Sequence, residues 1–466
     1  MAGAIPANER PPFPAARATG RRRALVSSML RRALADWFRS DLGWSLVIMA
    51  TSVVALLLVG PIVTADTPTY VQFSLFRSAL TSTILWLTRS VGGAWSFQLF
   101  VAASALLTAI AAGRLSASLA LVYGLDLVGR RLLHLLVLLP ALRFAAEIGS
   151  VAMAFPLCLF WLADALLLLR EPGASRLFSR VCVWQVLAQL ARPQMLVLAP
   201  FTIFGAVRAG FHRRTIRPLL LCACWLFVGA ACERGYQVVV NRLPVSARSL
   251  GIQLLTTVAY GMRAEDLSCL APGTSREFAS LLYERLHAER LLRDLRPDGV
   301  PASHQFELVY TRICWGAVVP LYGSSELGMN VSESSALAPR QLPPEAWSRM
   351  DSLTTGVALQ LLRCGHLRYL RNVLGTVYET QKFYLFIVLF QLGLGVTMLR
   401  GGAQGTTLLL VSLLWCANVV AVAGLEYPMS KYTYYFDVPV ACVLFAVLLS
   451  WRARVVKKST APSDTE

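Results

Sequence analysis

Residues 43–63 read GWSLVIMATSVVALLLVGPIV, and the chain continues Thr64-Ala65-Asp66-Thr67-Pro68-Thr69-Tyr70. The first stretch decides the fold. As a helix, a run of about 20 apolar residues crosses a hydrocarbon layer of about 30 Å, and this run carries no charge. The second stretch bears on function. A lone carboxylate where the chain leaves the bilayer, followed by Thr-Pro-Thr-Tyr rather than another span, points to chemistry at the membrane surface. A solvated acid that merely ends a helix is the plain alternative, as for any short motif.

Outward from there the apolar pattern recurs along all 466 residues, of which 56% are hydrophobic and only 15% charged. A soluble domain is far less apolar. Further runs lie near 94–112, 132–149, 151–169, 181–193, 195–209, 217–235, 380–399, 406–424 and 437–452. The expected fold class is an α-helical polytopic membrane protein with about ten transmembrane helices. The runs 181–193 and 195–209 are short and meet at Arg192-Pro193, which suits a broken pair at a re-entrant turn.

Charge placement orients the chain. Arg10, Arg17, Arg21, Arg22, Arg23, Arg31, Arg32 and Arg39 precede the first span, and basic segments stay in the cytoplasm. Every second connection is basic too: Arg114, Arg130 and Arg131, then Arg170, Arg176 and Arg180, then Arg208, Arg213, Arg214 and Arg217. The C-terminal end carries Arg452, Arg454, Lys457 and Lys458. Both termini are therefore expected in the cytoplasm. The net charge of +18 reads as a topology signal. It gives no reason to expect nucleic acid, although residues 25–42 suit a basic amphipathic helix on anionic lipid. The first apolar run reads as a retained span, not a cleaved signal.

This divides the chain into a basic tail (1–41), an N-terminal transmembrane module (42–235) with an outer loop at 64–93, an outer-face domain (236–379), C-terminal transmembrane helices (380–452) and a second tail (453–466). The outer-face segment of roughly 140 residues is far longer than an ordinary connection and marks a functional domain. Within it Thr274-Ser275-Arg276-Glu277 reads as a capping box opening a helix through Phe278, Leu281, Leu282, Arg285 and Leu286. A second helix is expected from Pro344 to Leu374. Its later part, Leu362 to Asn372, is basic and aromatic, as befits a helix along headgroups. Of ten cysteines, Cys269, Cys314 and Cys364 fall in this domain and allow at most one disulfide. Cys222-Ala223-Cys224 lacks the partner histidines of a zinc site.

In this order the motifs resemble the polytopic GT-C glycosyltransferases, in particular bacterial members of the protein-mannosyltransferase and aminoarabinose-transferase type. Asp66-Thr67-Pro68-Thr69-Tyr70 matches the Asp-Ser/Thr-x-x-Tyr that often opens their first outer loop. Leu190-Ala191-Arg192-Pro193-Gln194 is similar to a Leu-x-Arg-Pro segment of their middle spans. The stretch from Leu361 through His366 and Tyr369 to Asn372 looks like the helix that re-enters the membrane. Glu426 through Lys431-Tyr432 to Pro439 resembles a closing Glu-x-Arg-Tyr-x-x-Pro segment, with lysine in place of arginine.

The resemblance implies a GT-C-like bundle with a mostly helical outer domain. It implies inverting transfer of a sugar from a polyprenyl-phosphate carrier to a glycan, lipid or protein acceptor, in the bacterial inner membrane. An acceptor hydroxyl then needs a general base, and a departing lipid phosphate needs fixed positive charge. Asp66 is the expected base, its basicity raised by partial desolvation at the bilayer edge. Arginine and lysine in or beside spans usually face a polar cavity. Arg143, Arg192, Lys382 and Lys431 are thus the candidates for the phosphate, with Tyr70, Tyr432 and Tyr434 to donate to it or stack on the sugar. Some members pair acids in the first loop to hold a divalent metal. Asp66 stands alone there, so neither metal nor cofactor is expected. Where members place a glutamate after the third span, this chain has Ala152-Met153-Ala154, and Glu147 is the nearest acid.

Three other readings stay open. An O-antigen ligase or polymerase would use His287, His304 and His366 in the outer domain. A lipid-linked sugar transporter or flippase would use acids in or near spans, such as Asp126 and Asp164. The outer domain of a non-catalytic assembly protein would serve as a platform.

Overall fold

In the computed structural model residues 41–459 are described, except 65, 75–76, 172–173, 214, 245–249, 296–301, 330–342, 400–401 and 426–429. The described chain is almost entirely helical, and its one β-bridge joins Ile62 to Glu147. Among the described residues seven helices are long and apolar enough to cross a membrane. They include the first helix, α1 (Asp41–Val59), which ends before the expected 63. Gly60, at φ 85°, and Pro61 stop it.

The expected outer loop 64–93 is instead mostly helical. A short α2 (Thr67–Val71) is followed by α3 (Ala79–Gly92). A tight turn at Gly93–Trp95, with Gly93 at φ 49°, leads into α4 (Ser96–Tyr123). The loop reading failed because the polar Thr64–Tyr70 stretch hid the apolar face of Leu80, Ile84 and Leu85 just beyond it, which packs into the core.

The centre of the bundle is α6 (Ser150–Arg170), 94% of whose span is buried, against 17% for α9 (Arg217–Asn241) at the periphery. Small residues let α4 approach it closely: Ser104, Ala105, Ala109 and Ala112 are wholly or almost wholly buried, and the Ser104 hydroxyl donates to the Ala152 carbonyl at 3.0 Å. Between them runs α5 (Leu127–Ala145), whose N-terminus Asp126 caps by accepting from the Gly129 N–H at 2.8 Å. After α7 (Ser175–Ala191) the chain breaks. Arg192 is extended at φ −157°, as a residue before proline prefers, and a 3-10 turn (Pro193–Leu198) leads into α8 (Ala199–Arg213). The expected break therefore stands at Arg192-Pro193. The runs at 132–149, 181–193 and 195–209 fall on α5, α7 and α8, none of which is among the seven span-length helices.

Beyond α9 a second apolar core forms around Ile252, Phe278, Leu282, Tyr310, Ile313, Trp347 and Leu361. It is built from α10 (Leu250–Tyr260), α11 (Thr274–Ala288), α12 (Ala302–Thr311), α13 (Val319–Glu326) and the start of α14 (Pro344–Thr397). The expected capping box does not form: Gly273 is the N-cap of α11 and Thr274 is already helical. A glycine at φ 114° makes the turn instead. Upstream, the Asp266 carboxylate accepts from the Arg263 N–H at 2.8 Å, and the Asp266 N–H donates to the Arg263 carbonyl at 3.1 Å.

The helix expected to end at Leu374 runs on for 54 residues and absorbs the run 380–399. At 1.5 Å per residue it is about 80 Å long, far more than a bilayer's hydrocarbon. One helix thus belongs to both cores, bent at Gly365 (φ −109°, ψ 17°). Beside the bend Cys269 and Cys364 form a disulfide, while Cys314 stays free and buried. The last helices, α15 (Ala403–Leu425) and α16 (Ser430–Ser459), close the bundle.

Candidate functional site

The segment that carries Asp66 is tied to α9, to the α5–α6 turn and to the break after α7. As N-cap of α2 the Asp66 side chain caps nothing, although aspartate at that position ordinarily accepts a helix N–H. Its carboxylate instead takes a hydrogen bond and ion pair from Arg77 Nη2 at 2.5 Å. The Arg77 Nε donates to the Thr69 hydroxyl at 2.7 Å, and its guanidinium lies 4.7 Å from the centre of the buried Tyr70 ring. The α9 helix pins this segment. Gln237 donates to the Arg77 carbonyl at 3.3 Å and Asn241 to that of Phe73 at 3.3 Å, while Glu233 accepts from the Ala79 N–H at 3.4 Å. Burial alone would lower the pKa of Arg77; Tyr70 and the hydrogen-bonded Asp66 carboxylate outweigh it and hold the pKa above its ordinary value.

Glu147 comes from the turn between α5 and α6. The chain after α1 runs beside that turn: the Ile62 N–H donates to the Ala146 carbonyl and the Ile148 N–H to that of Ile62, both at 2.9 Å. The Thr67 hydroxyl donates to the Ile148 carbonyl at 2.9 Å. A methyl placed on Gly149 would sit 3.5 Å from the Glu147 carboxylate and 3.8 Å from the Tyr70 ring, so acid and ring flank the same glycine.

Arg192 arrives on the broken segment after α7. The extended backbone there frees its side chain from a helix surface. Nη1 donates to the Ser150 hydroxyl at 3.2 Å and Nε to the Gln194 side chain at 2.8 Å. The guanidinium lies over the Tyr432 ring at 4.5 Å and 5.8 Å from that of Tyr435. Gln194 in turn donates to the Asn418 side chain at 2.7 Å and the Tyr432 carbonyl at 2.9 Å, tying the break to α15 and α16. The two arginine-bearing segments are also joined directly. Ser78, next to Arg77, donates to the carbonyl of Ala191, next to Arg192, at 2.5 Å.

The structure therefore brings together Asp66, Tyr70, Glu147, Arg192 and Tyr432. It leaves others out. Arg143 is exposed, 6.0 Å from the Phe144 ring. Lys382 is exposed on α14, and its neighbour Gln381 faces α16 instead, donating to Thr433 at 3.4 Å. Tyr434 points between Phe144 and Phe155, at 4.4 and 5.2 Å between ring centres. Lys431 lies in the first turn of α16 with its side chain outside the described part, and Glu426 lies outside the described residues altogether. The sequence did not anticipate that the Asp66 carboxylate is paired with a guanidinium.

Sequence reasoning missed Arg77, Ser150 and Tyr435 as members of this cluster. Arg77 was visible only as a loop arginine, and nothing local relates it to an acid eleven residues earlier. Gln194 was quoted beside Arg192-Pro193 without a role. The histidines do not gather: His287 and His366 are exposed, and the His304 side chain lies outside the described part. Among the described residues no three His, Cys, Asp or Glu side chains are grouped as metal ligands. Two other acids have structural partners. Asp126 is a helix cap, and the wholly buried Asp164 is held by Arg114 at 2.7 Å, Arg180 at 2.8 Å and the Trp184 indole at 2.9 Å.

No family model matches the chain, and no match is found among curated proteins or solved structures.

Proposed function

We propose that this chain is an integral-membrane glycosyltransferase of the GT-C kind. It moves a sugar with inversion from a polyprenyl-phosphate carrier to an acceptor on the outer face of a bacterial inner membrane. The observation that carries the reading is the convergence described above: an acid and a tyrosine from the chain after α1, a second acid from the α5–α6 turn, and two arginines on segments that the Ser78–Ala191 hydrogen bond joins. Such transfer needs a base for the acceptor hydroxyl and fixed positive charge for the leaving phosphate, supplied in a water-poor place. In this reading Asp66 is the base, Glu147 assists beside Tyr70, and Arg192 on Tyr432 holds the phosphate. No metal or cofactor takes part.

The same proposal orients the molecule. The alternation of basic segments puts both termini in the cytoplasm and the second core on the outer side. The Cys269–Cys364 disulfide supports this, because disulfides persist in oxidising compartments. The two acids that a transporter would use are a helix cap, Asp126, and the partner of two arginines, Asp164.

Asp66→Asn tests the proposal in a strain lacking the chromosomal copy. The expected result is unchanged membrane expression with loss of the glycosylated product, and with a lipid-linked sugar copurifying with the protein by mass spectrometry. Full complementation by the variant would remove Asp66 from catalysis. Flux into proteoliposomes with no covalent product would identify a transporter.

A further inference from the structure

Arg77 has no part in the function as proposed so far, yet it occupies the base. Its side chain is four-fifths buried, its guanidinium bonded to Asp66 and Thr69 and stacked on Tyr70, with its backbone stapled to α9. A base that is to accept a proton is poorly served by a permanent arginine partner. Ser78, next to Arg77, anchors its segment to that of Arg192 by donating to the Ala191 carbonyl. An anion held by Arg192 over Tyr432 would thus bind beside the segment that carries a second guanidinium, already engaged by a carboxylate.

We propose that Arg77 is a positioning residue that masks Asp66 in the empty site and transfers to the phosphate of the incoming lipid carrier, so that donor binding itself unmasks the base. The inference rests on the glycosyltransferase reading and adds an order of events to it. With the phosphate between Arg77 and Arg192, Asp66 loses its cationic partner and its affinity for a proton rises. The acceptor oxygen then bonds to the anomeric carbon as its proton passes to Asp66. The anomeric C–O bond breaks with its electron pair leaving on the phosphate, which the two guanidiniums hold. In the absence of donor the acid stays paired, and water is not activated in its place.

The exchange makes a prediction that a purely structural ion pair does not. Asp66 competes with the phosphate for Arg77, so removing the acid's charge strengthens phosphate binding, and does so only while Arg77 is present. The test measures binding of undecaprenyl phosphate to the purified full-length protein in nanodiscs. Arg77→Gln is expected to weaken binding roughly tenfold, the scale of one charge-assisted contact. Arg77→Lys, which keeps the charge without the fork, is expected to recover part of the loss. Asp66→Asn is expected to tighten binding several-fold in the wild-type background and not at all beside Arg77→Gln, a double-mutant cycle. Equal tightening in both backgrounds would mean simple repulsion between acid and phosphate and would overturn the exchange. So would binding by the wild type that is indifferent to both Arg77 substitutions. No binding of undecaprenyl phosphate by the wild type at all would overturn the donor assignment, and the exchange with it.

Discussion

At the scale of single residues, the site turns on how each charge is paired. Asp66 and Arg77 neutralise one another, Arg192 is shared among Ser150, Gln194 and two aromatic rings, and Glu147 sits by a glycine against Tyr70. Asp66→Asn is expected to cut sugar transfer by a factor on the order of 10²–10⁴, the usual worth of a positioned base, with melting temperature measured alongside to exclude unfolding. Glu147→Gln is expected to cost less, because Glu147 has no partner role in the ion pair; a loss as large as that of Asp66→Asn would exchange the two acids' roles. Arg192→Lys keeps the charge but cannot reproduce both hydrogen bonds together with the stack on Tyr432. It should impair transfer even though charge is conserved. The residues Asp66, Tyr70, Arg192 and Tyr432 were legible as candidates because each stands in a short polar motif at or near the end of an apolar run. Arg77 and Ser150 were not, because their role is set only by the partners that folding brings.

At the scale of elements, α14 is the member shared by both cores. Its continuity couples the second core to the bundle, and Tyr369 reinforces the join by donating to the Gly424 carbonyl at 2.5 Å. The disulfide closes a stretch of 95 residues across the bend at Gly365. Replacing both Cys269 and Cys364 by serine is expected to lower stability by about 2–4 kcal/mol, read as a lower melting temperature of the non-reduced protein. Maleimide labelling of the denatured wild type should gain two thiols on reduction, and no gain would remove the bond. Where α15 begins, Gly405 has its Cα against the Met398 carbonyl. Gly405→Ala has only backbone to push against and is expected to cost about 1–3 kcal/mol, checked by thermal unfolding in detergent. The periodic apolar runs made the helices readable. Their ends were less so: the run 380–399 belongs to a helix beginning at Pro344, and Thr274 is helical where a cap was expected.

At the scale of the whole molecule, the seven span-length helices and the second core make a bundle with one large appendage. The proposed orientation is testable by labelling intact spheroplasts with a membrane-impermeant maleimide. A cysteine at the exposed position Glu284 of α11 should react from outside, and one at the exposed position Arg176 of α7 only after permeabilisation. The reverse pattern would invert the topology and detach the site from the outer face. Composition and the spacing of apolar runs determined by themselves that this chain is helical and built for a membrane, because a long uncharged run has few other ways to satisfy its backbone. The broken helix at Arg192-Pro193 was equally local, since proline restricts the residue before it. Only the tertiary structure decided which charges meet. Arg77 pairs with Asp66, Glu147 and Tyr70 flank Gly149, and Lys382 faces away, because distances between distant segments depend on packing that no local pattern encodes.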